Sequence, residues 1–152
     1  MEIYEPSAVP VLQVLIVDDH TMLRDGLKSM LLSFKKELPL MITEAESGEK
    51  AMQKIVQHTP NLAIVDYKLS GICGAELTRR MLRFLPQLKV LALSNYNELK
   101  TIKAMMEAGA SGFALKTILP EQMLMAINTI LAGGIYYCNE VALVLLKEAE
   151  AN

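Results

Sequence analysis

The sequence predicts an α/β fold, a doubly wound parallel sheet of five strands, and three observations carry that reading. Two apolar runs stop abruptly at acid: Val14-Leu15-Ile16-Val17 before Asp18 and Asp19, and Leu62-Ala63-Ile64-Val65 before Asp66. Consecutive apolar β-formers without polar alternation belong to strands covered on both faces. Such runs alternate with helix-like stretches five times along the 152 residues, which is the pattern of successive β/α units. Finally, 52% of the residues are hydrophobic and the mean hydropathy is +0.28, as a sheet buried on both sides requires.

Taken in order, the first strand is expected over residues 13–17. A helix follows over 20–34, with Leu23, Leu27, Met30, Leu31 and Phe34 at helical spacing. A second, weaker strand covers 40–45, and Ser47 is placed to N-cap the helix that opens Ser47-Gly48-Glu49-Lys50. Residues 61–65 form the third strand, and a turn with Gly71 and Gly74 leads into a helix over 75–84. The fourth strand, 89–93, ends at Ser94-Asn95, and the helix over 98–107 stops at Gly109, a residue suited to the left-handed position past a helix end. A short fifth strand, 112–115, ends at Lys116. The helix over 120–131 has Pro120 in its first turn and Gly133-Gly134 beyond its end. Five such units argue for the flavodoxin-like strand order 2-1-3-4-5, whose switch point lies between strands one and three. Residues 1–10, with Pro6 and Pro10, read as a loose leader.

Composition excludes several classes. A net charge of −2 argues against broad nucleic-acid binding by this chain, which calls for a strongly basic face. Arg79, Arg80 and Arg83 fall on one helix and read as a solvated face. Cys73 and Cys138 lack any Cys-x-x-Cys or His pairing and read as free thiols. The ten methionines read most simply as core filler on helices. No apolar stretch is long enough to span a bilayer, and Met1-Glu2-Ile3-Tyr4-Glu5-Pro6 lacks the basic start of a signal peptide. A cytoplasmic location is therefore expected.

Chemistry gathers at the strand ends. Asp19 alone would read as a helix N-cap and Asp66 alone as a turn residue. Ser94 and Lys116 alone would read as a turn former and a solvated charge. Five such residues at the carboxyl ends of four strands exceed what turn chemistry needs. Three carboxylates there repel one another unless a cation or protons intervene, and oxygen ligands of that charge suit Mg²⁺. Asp66 can act as a nucleophile that forms an acyl phosphate. Lys116 supplies positive charge for a phosphoryl group, and the Ser94 hydroxyl can donate to one of its oxygens.

Val-Leu-Ile-Val-Asp-Asp-His, Leu-Ala-Ile-Val-Asp-Tyr, Leu-Ala-Leu-Ser and Ala-Gly-Ala-Ser-Gly-Phe-Ala-Leu-Lys-Thr resemble, in order and spacing, the receiver domain of two-component response regulators. The resemblance runs over about residues 11–131. It implies that Asp66 is the phosphoacceptor, that Asp18, Asp19, Asp66 and the Lys68 backbone carbonyl hold Mg²⁺, and that Lys116 binds phosphate. Ser94 and Phe113 become the switch hydroxyl and the switch aromatic. Asp-Asp-His and Leu-Ala-Gly-Gly-Ile-Tyr-Tyr-Cys-Asn-Glu-Val-Ala resemble the NarL/FixJ (LuxR-type) branch.

That branch implies a division into a leader (1–10), a receiver (11–132) and a linker (133–152) leading towards a helix-turn-helix DNA-binding domain absent here. The linker helix would be N-capped by Asn139 and marked by Val141, Leu145 and Leu146; the stop at Asn152 reads as truncation, with a natural stand-alone receiver as the alternative. A sensor histidine kinase is the implied donor and homodimerisation an implied response. No DNA binding by this chain alone and no turnover beyond its own phosphorylation and dephosphorylation are expected. Two other readings stand beside this one: a degenerate receiver serving as a constitutive interaction module, and a Mg²⁺-dependent phosphatase. The second needs an acid/base Asp two residues after the nucleophile, where this chain has Lys68. Ser70 stands where the family usually has Pro, so a looser loop is expected. Lys68 and Asn95 flank the site with larger groups, the Lys68 ammonium being placed to pair with Asp66.

Overall fold

The structure is a computed structural model that describes residues 10–95 and 97–151. The leader expected over residues 1–10 lies outside the described residues except for Pro10. Strands β1 (Leu12–Val17), β2 (Leu40–Ala45), β3 (Leu62–Asp66), β4 (Lys89–Ser94), β5 (Gly112–Leu115) and β6 (Tyr136–Tyr137) alternate with six helices. These are α1 (Thr21–Ser33), α2 (Gly48–His58), α3 (Gly74–Phe84), α4 (Leu99–Ala108), α5 (Pro120–Leu131) and α6 (Asn139–Ala151). The first five strands and five helices stand within two residues of the expected bounds. Turn chemistry explains that agreement: the Ser47 hydroxyl accepts the Lys50 N–H at 3.1 Å to cap α2, and Gly109 closes α4 at φ +104°.

All pairings are parallel, in the order β2-β1-β3-β4-β5-β6. Register places Val17 beside Ala45 and Val65, Asp66 beside Leu93, and Ser94 beside Leu115. The strand ends carrying Asp18, Asp66, Ser94 and Lys116 therefore share one rim. The sheet is covered on both faces. Leu15, Val17, Ala63, Val65 and Val90 pack with Ile55 of α2 and with Leu77 and Met81 of α3. The larger cluster unites Val14, Ile16, Leu91 and Phe113 with buried residues of α1, α4 and α5.

The order 2-1-3-4-5 is correct but incomplete, because a sixth strand extends it. Gly133 at φ +93° turns the chain after α5, and Tyr136 and Tyr137 then pair with Gly112 and Phe113. Two residues are too few to show any periodicity in the sequence. The following helix is present, but its cap is Cys138, whose carbonyl accepts the Ala142 N–H at 2.9 Å; Asn139 is already helical. Helix α6 lies on the core. Val141 is fully buried with Val144 and Leu145 packed beside it, whereas Leu146 is exposed. Lys103 of α4 pairs with Glu148 at 2.8 Å. Val141→Ala is expected to lower stability by about 2 kcal/mol in urea denaturation. An unchanged midpoint would mean that α6 is undocked in solution.

Candidate functional site

The β1–α1 turn holds the first two acids. Asp18 is buried: Oδ1 accepts the His20 N–H at 2.9 Å, and Oδ2 accepts the Lys116 ammonium at 3.2 Å. Asp19 is half-buried and does not cap α1; that position belongs to His20, which makes no side-chain cap. Asp19 Oδ2 instead accepts the Ser70 hydroxyl at 3.0 Å, while its Oδ1 is buried without a hydrogen bond.

Asp66, at the end of β3, is 4% exposed. Its Oδ1 accepts the Lys68 N–H at 3.2 Å, and its Oδ2 lies 3.0 Å from the Lys116 ammonium in an ion pair whose geometry is not that of a hydrogen bond. Burial pushes the Asp66 carboxyl above its ordinary value; Lys116 opposes that rise, Asp18 adds to it, and the Lys68 N–H opposes it. The ammonium beside Asp66 is thus that of Lys116. Lys68 donates its backbone N–H to the same carboxylate.

The Lys116 side chain is 10% exposed and is delivered by β5, its N–H donating to the Ser94 carbonyl at 2.8 Å. Ser94 is buried at the end of β4, and Phe113 is buried in the larger core cluster. A small cavity of about 110 Å³ opens over Asp66, lined by His20, Lys68, Ser94, Asn95 and Lys116. Close packing holds its floor: Gly74 donates to the Tyr67 carbonyl at 2.7 Å, and a Cβ at Gly74 would stand 2.5 Å from the Asp66 carbonyl oxygen. A roomier concavity, about 710 Å³ between α2 and the β3–α3 loop, has Met52, Val56 and Ile72 in its lining and contains none of these carboxylates.

Asp18, Asp19, Asp66, Ser94 and Lys116 meet at this rim with Lys68 beside them, whereas Phe113 lies in the core beneath. Three contributors had been given no part in the site's chemistry by the sequence. His20 has Nδ1 at 3.1 Å from Asp18 and 2.9 Å from Asp19. Ser70, read as a loss of Pro, supplies the bond to Asp19. Arg24 on α1 donates from Nη1 to the Asp18 carbonyl at 2.6 Å and from Nε to Glu44 of β2 at 3.2 Å, tying the acidic turn to the neighbouring strand. Arg24 falls on the polar side of the α1 pattern, away from Leu23, Leu27 and Leu31. Arg79 and Arg80 pair with Glu76 on α3, as expected for a solvated face, and both cysteines are free.

One atom each from Asp18, Asp19, His20 and Asp66 lies within 4.8 Å of the others. Three carboxylates with one lysine leave a negative excess, and two buried carboxylate oxygens lack a hydrogen bond. The donor set therefore fits a hard divalent cation.

A doubly wound parallel sheet with carboxylates and a lysine over its switch point defines a receiver, and the sequence profile of the response regulator receiver domain matches residues 14–128. The chain belongs to that family. Its relatives are regulators of the NarL/LuxR type. It is 43% identical over 123 residues to the transcriptional activator protein ExaE of Pseudomonas putida, a match covering 81% of this chain and 56% of that protein. It is 33% identical over 132 residues to the response regulator GacA of Pseudomonas syringae, covering 87% and 61%. A LuxR-family two-component response regulator from an Aurantimonas species superposes with a TM-score of 0.83 at 26% identity, covering 92% of this chain and 99% of that one. The chain spans little more than half the length of the curated relatives it matches. Receivers are signalling modules and not metabolic enzymes. Among the described residues no helix is long and apolar enough to cross a membrane.

Proposed function

We propose that this chain is a phosphorylation-dependent switch whose phosphoacceptor is Asp66. The supporting observation is the buried Asp66 carboxylate, held between Lys116 and the acidic pair at the mouth of an open cavity. An Asp66 oxygen attacks the phosphorus of a phosphohistidine on a sensor kinase, or of acetyl phosphate. The P–N or P–O bond of the donor breaks, and its electron pair leaves with the imidazole or acetate. The product is an acyl phosphate. Lys116 turns its ammonium from the spent carboxylate to a phosphoryl oxygen, and the Ser94 hydroxyl donates to another. Asp18, Asp19, Asp66 and the Lys68 carbonyl would hold Mg²⁺, which supplies neutralisation of the charge developing on the transferring oxygens. Attack of water on phosphorus breaks the P–O bond to Asp66, releases inorganic phosphate and restores the carboxylate, which resets the switch.

Movement of Ser94 and Lys116 would reshape the surface around α4, β5 and α5, with Phe113 beneath it, and so bias homodimerisation. In a longer protein built like its relatives, that surface would govern a helix-turn-helix module. A cytoplasmic location and no specific DNA binding by residues 1–152 alone belong to the same reading. Mass spectrometry after incubation with acetyl phosphate and Mg²⁺ should find one added phosphoryl group, lost in Asp66→Ala; an unmodified parent chain would sink the proposal.

Lys68 and Asn95 line the route to Asp66 and should slow both phosphoryl entry and the approach of water. Joint replacement, Lys68→Asn with Asn95→Ala, is expected to raise phosphorylation, dephosphorylation or both about ten-fold, equivalent to about 1.4 kcal/mol of barrier. Stopped-flow and phosphate-release measurements read the two rates separately. Equal rates in parent and double variant would remove the gating role and leave the phosphoacceptor untouched.

A further inference from the structure

The groove of about 710 Å³ between α2 and the β3–α3 loop takes no part in the phosphoryl chemistry above. Its walls are aliphatic: Met52 and Val56 from α2, and Ile72 from the loop. Val56, one turn beyond Met52, is 58% exposed, an apolar side chain left in water beside others of its kind. Local packing builds this shape. Gly48 at the start of α2 lets Ile72 close against the helix, since a Cβ there would stand 2.7 Å from Ile72 Cγ1. One rim is basic. Arg80 lines the groove, and Arg79 and Arg83 stand on the same helix. Arg79 and Arg80 share Glu76, at 3.5 and 3.1 Å, and Arg83 has no acidic partner among the described residues. Three cations against one carboxylate leave α3 with an excess of two positive charges, in a chain whose net charge is −2. The acid in the lining, Glu49, belongs to the first turn of α2.

We propose that this groove is the docking site of an amphipathic helix from a partner protein, whose aliphatic side chains cover Met52, Val56 and Ile72 and whose carboxylates meet Arg80 and Arg83. Facing aliphatic walls take the apolar stripe of a helix, anchored at positions i, i+3, i+4 and i+7. Charge decides the sign of the partner. A basic helix would bring cations against the excess on α3, whereas an acidic one neutralises it. The docking stands apart from the phosphoryl chemistry, and one contact links the two. Ser70 lines the groove and donates its hydroxyl to Asp19 Oδ2 at 3.0 Å. A seated helix steadies the loop that carries Ser70 and so holds the Asp19 carboxylate; this link alone rests on the role proposed for Asp19 above.

The probe is a synthetic helix of about 14 residues, roughly 21 Å long, with leucines at the anchor positions and glutamates beside them. Added to the full chain carrying ¹³C-labelled methionine and isoleucine methyls, it should shift the signals of Met52 and Ile72. Those of Met22 and Met125, exposed on α1 and α5, should stay in place. A peptide with lysine for each glutamate should bind at least about ten-fold more weakly. Val56→Asp, and Arg80→Glu joined with Arg83→Glu, should each weaken the glutamate peptide by a similar factor. All three side chains are exposed, and circular dichroism checks that the variants fold. If Met22 and Met125 move together with Met52, the peptide adheres to any exposed methionine and the groove is not a site. Equal binding of the two peptides overturns the acidic partner. Shifts at Met52 and Ile72 with decanoate and none with the peptide would assign the groove to a small carboxylate ligand and overturn the helix. The Asp19 amide should move on peptide binding in the parent and stay still in Ser70→Ala; an amide still in both removes the link and leaves the docking standing.

Discussion

Asp66→Asn is expected to abolish phosphorylation and at the same time to make the folded protein more stable at neutral pH. The amide has no carboxylate with which to attack phosphorus, so modification by acetyl phosphate disappears. The stability gain follows from burial, which holds the Asp66 carboxyl above its unfolded value of 3.8 despite Lys116. For an acid whose folded pKa is raised, the folded state holds the proton more tightly than the unfolded one. Its contribution is therefore intact at low pH and is lost as pH rises through the folded pKa. Above that point ionised Asp66 is a net cost, and the amide removes it while leaving Lys116 paired with Asp18. A gain of about 1 kcal/mol is the scale for relieving an imperfectly compensated buried charge. Urea denaturation across pH should show the variant ahead at pH 7 and the difference closing as pH falls towards 3.8. A variant weaker than the parent at pH 7 would mean that the Asp66–Lys116 pair is net stabilising.

Lys116→Met should have the opposite and larger effect on stability. The ammonium lies 3.2 Å from Asp18 and 3.0 Å from Asp66, two side chains that are each 3% exposed. Methionine keeps much of the apolar stem but leaves two buried carboxylates facing each other. Removing one partner from a buried charged group costs about 3–5 kcal/mol, most of it as repulsion and unrelieved desolvation. Without the ammonium the Asp66 carboxyl rises further, so the loss extends to higher pH than in the parent, and acidification through that raised value should recover part of it. Millimolar Mg²⁺ should also recover part, by standing in for the missing charge. Phosphoryl transfer should fall as well, because the cation that receives the transferred group is gone. A deficit indifferent to both pH and Mg²⁺ would show that Lys116 acts through the packing of its stem.

Much of this architecture is legible in one dimension because its signals are local. Five strands were expected where five lie, since unbroken apolar β-formers ending at charge leave few alternatives. Capping and left-handed residues such as Ser47 and Gly109 punctuate the chain where the helices begin and end. Asp18, Asp19, Asp66, Ser94 and Lys116 were recognisable from their place at the strand ends. The two-residue β6 and the docking of α6 were not, because neither has a period long enough to read and the helix's partners lie in α4 and β5. Ser70 and Arg24 were missed for a related reason. A serine in a loop and an arginine on a polar helix face have ordinary local explanations, and only their long-range partners, Asp19 and the Asp18 carbonyl with Glu44, give them a role.

The sequence by itself determined the order of the first five strands, the rim on which the reactive groups stand and the residue types available there, because hydrophobic runs, turn residues and crossover handedness act over a few neighbouring positions. Only the tertiary structure decided which charges meet. Lys116 comes from 98 positions beyond Asp18 to neutralise it, and it pairs with Asp66 as well. His20 likewise turns between two carboxylates in a way no spacing announces. Coulomb energy depends on distance in space and on exclusion of water, and both are set only once the strands are in register and the helices have closed over them.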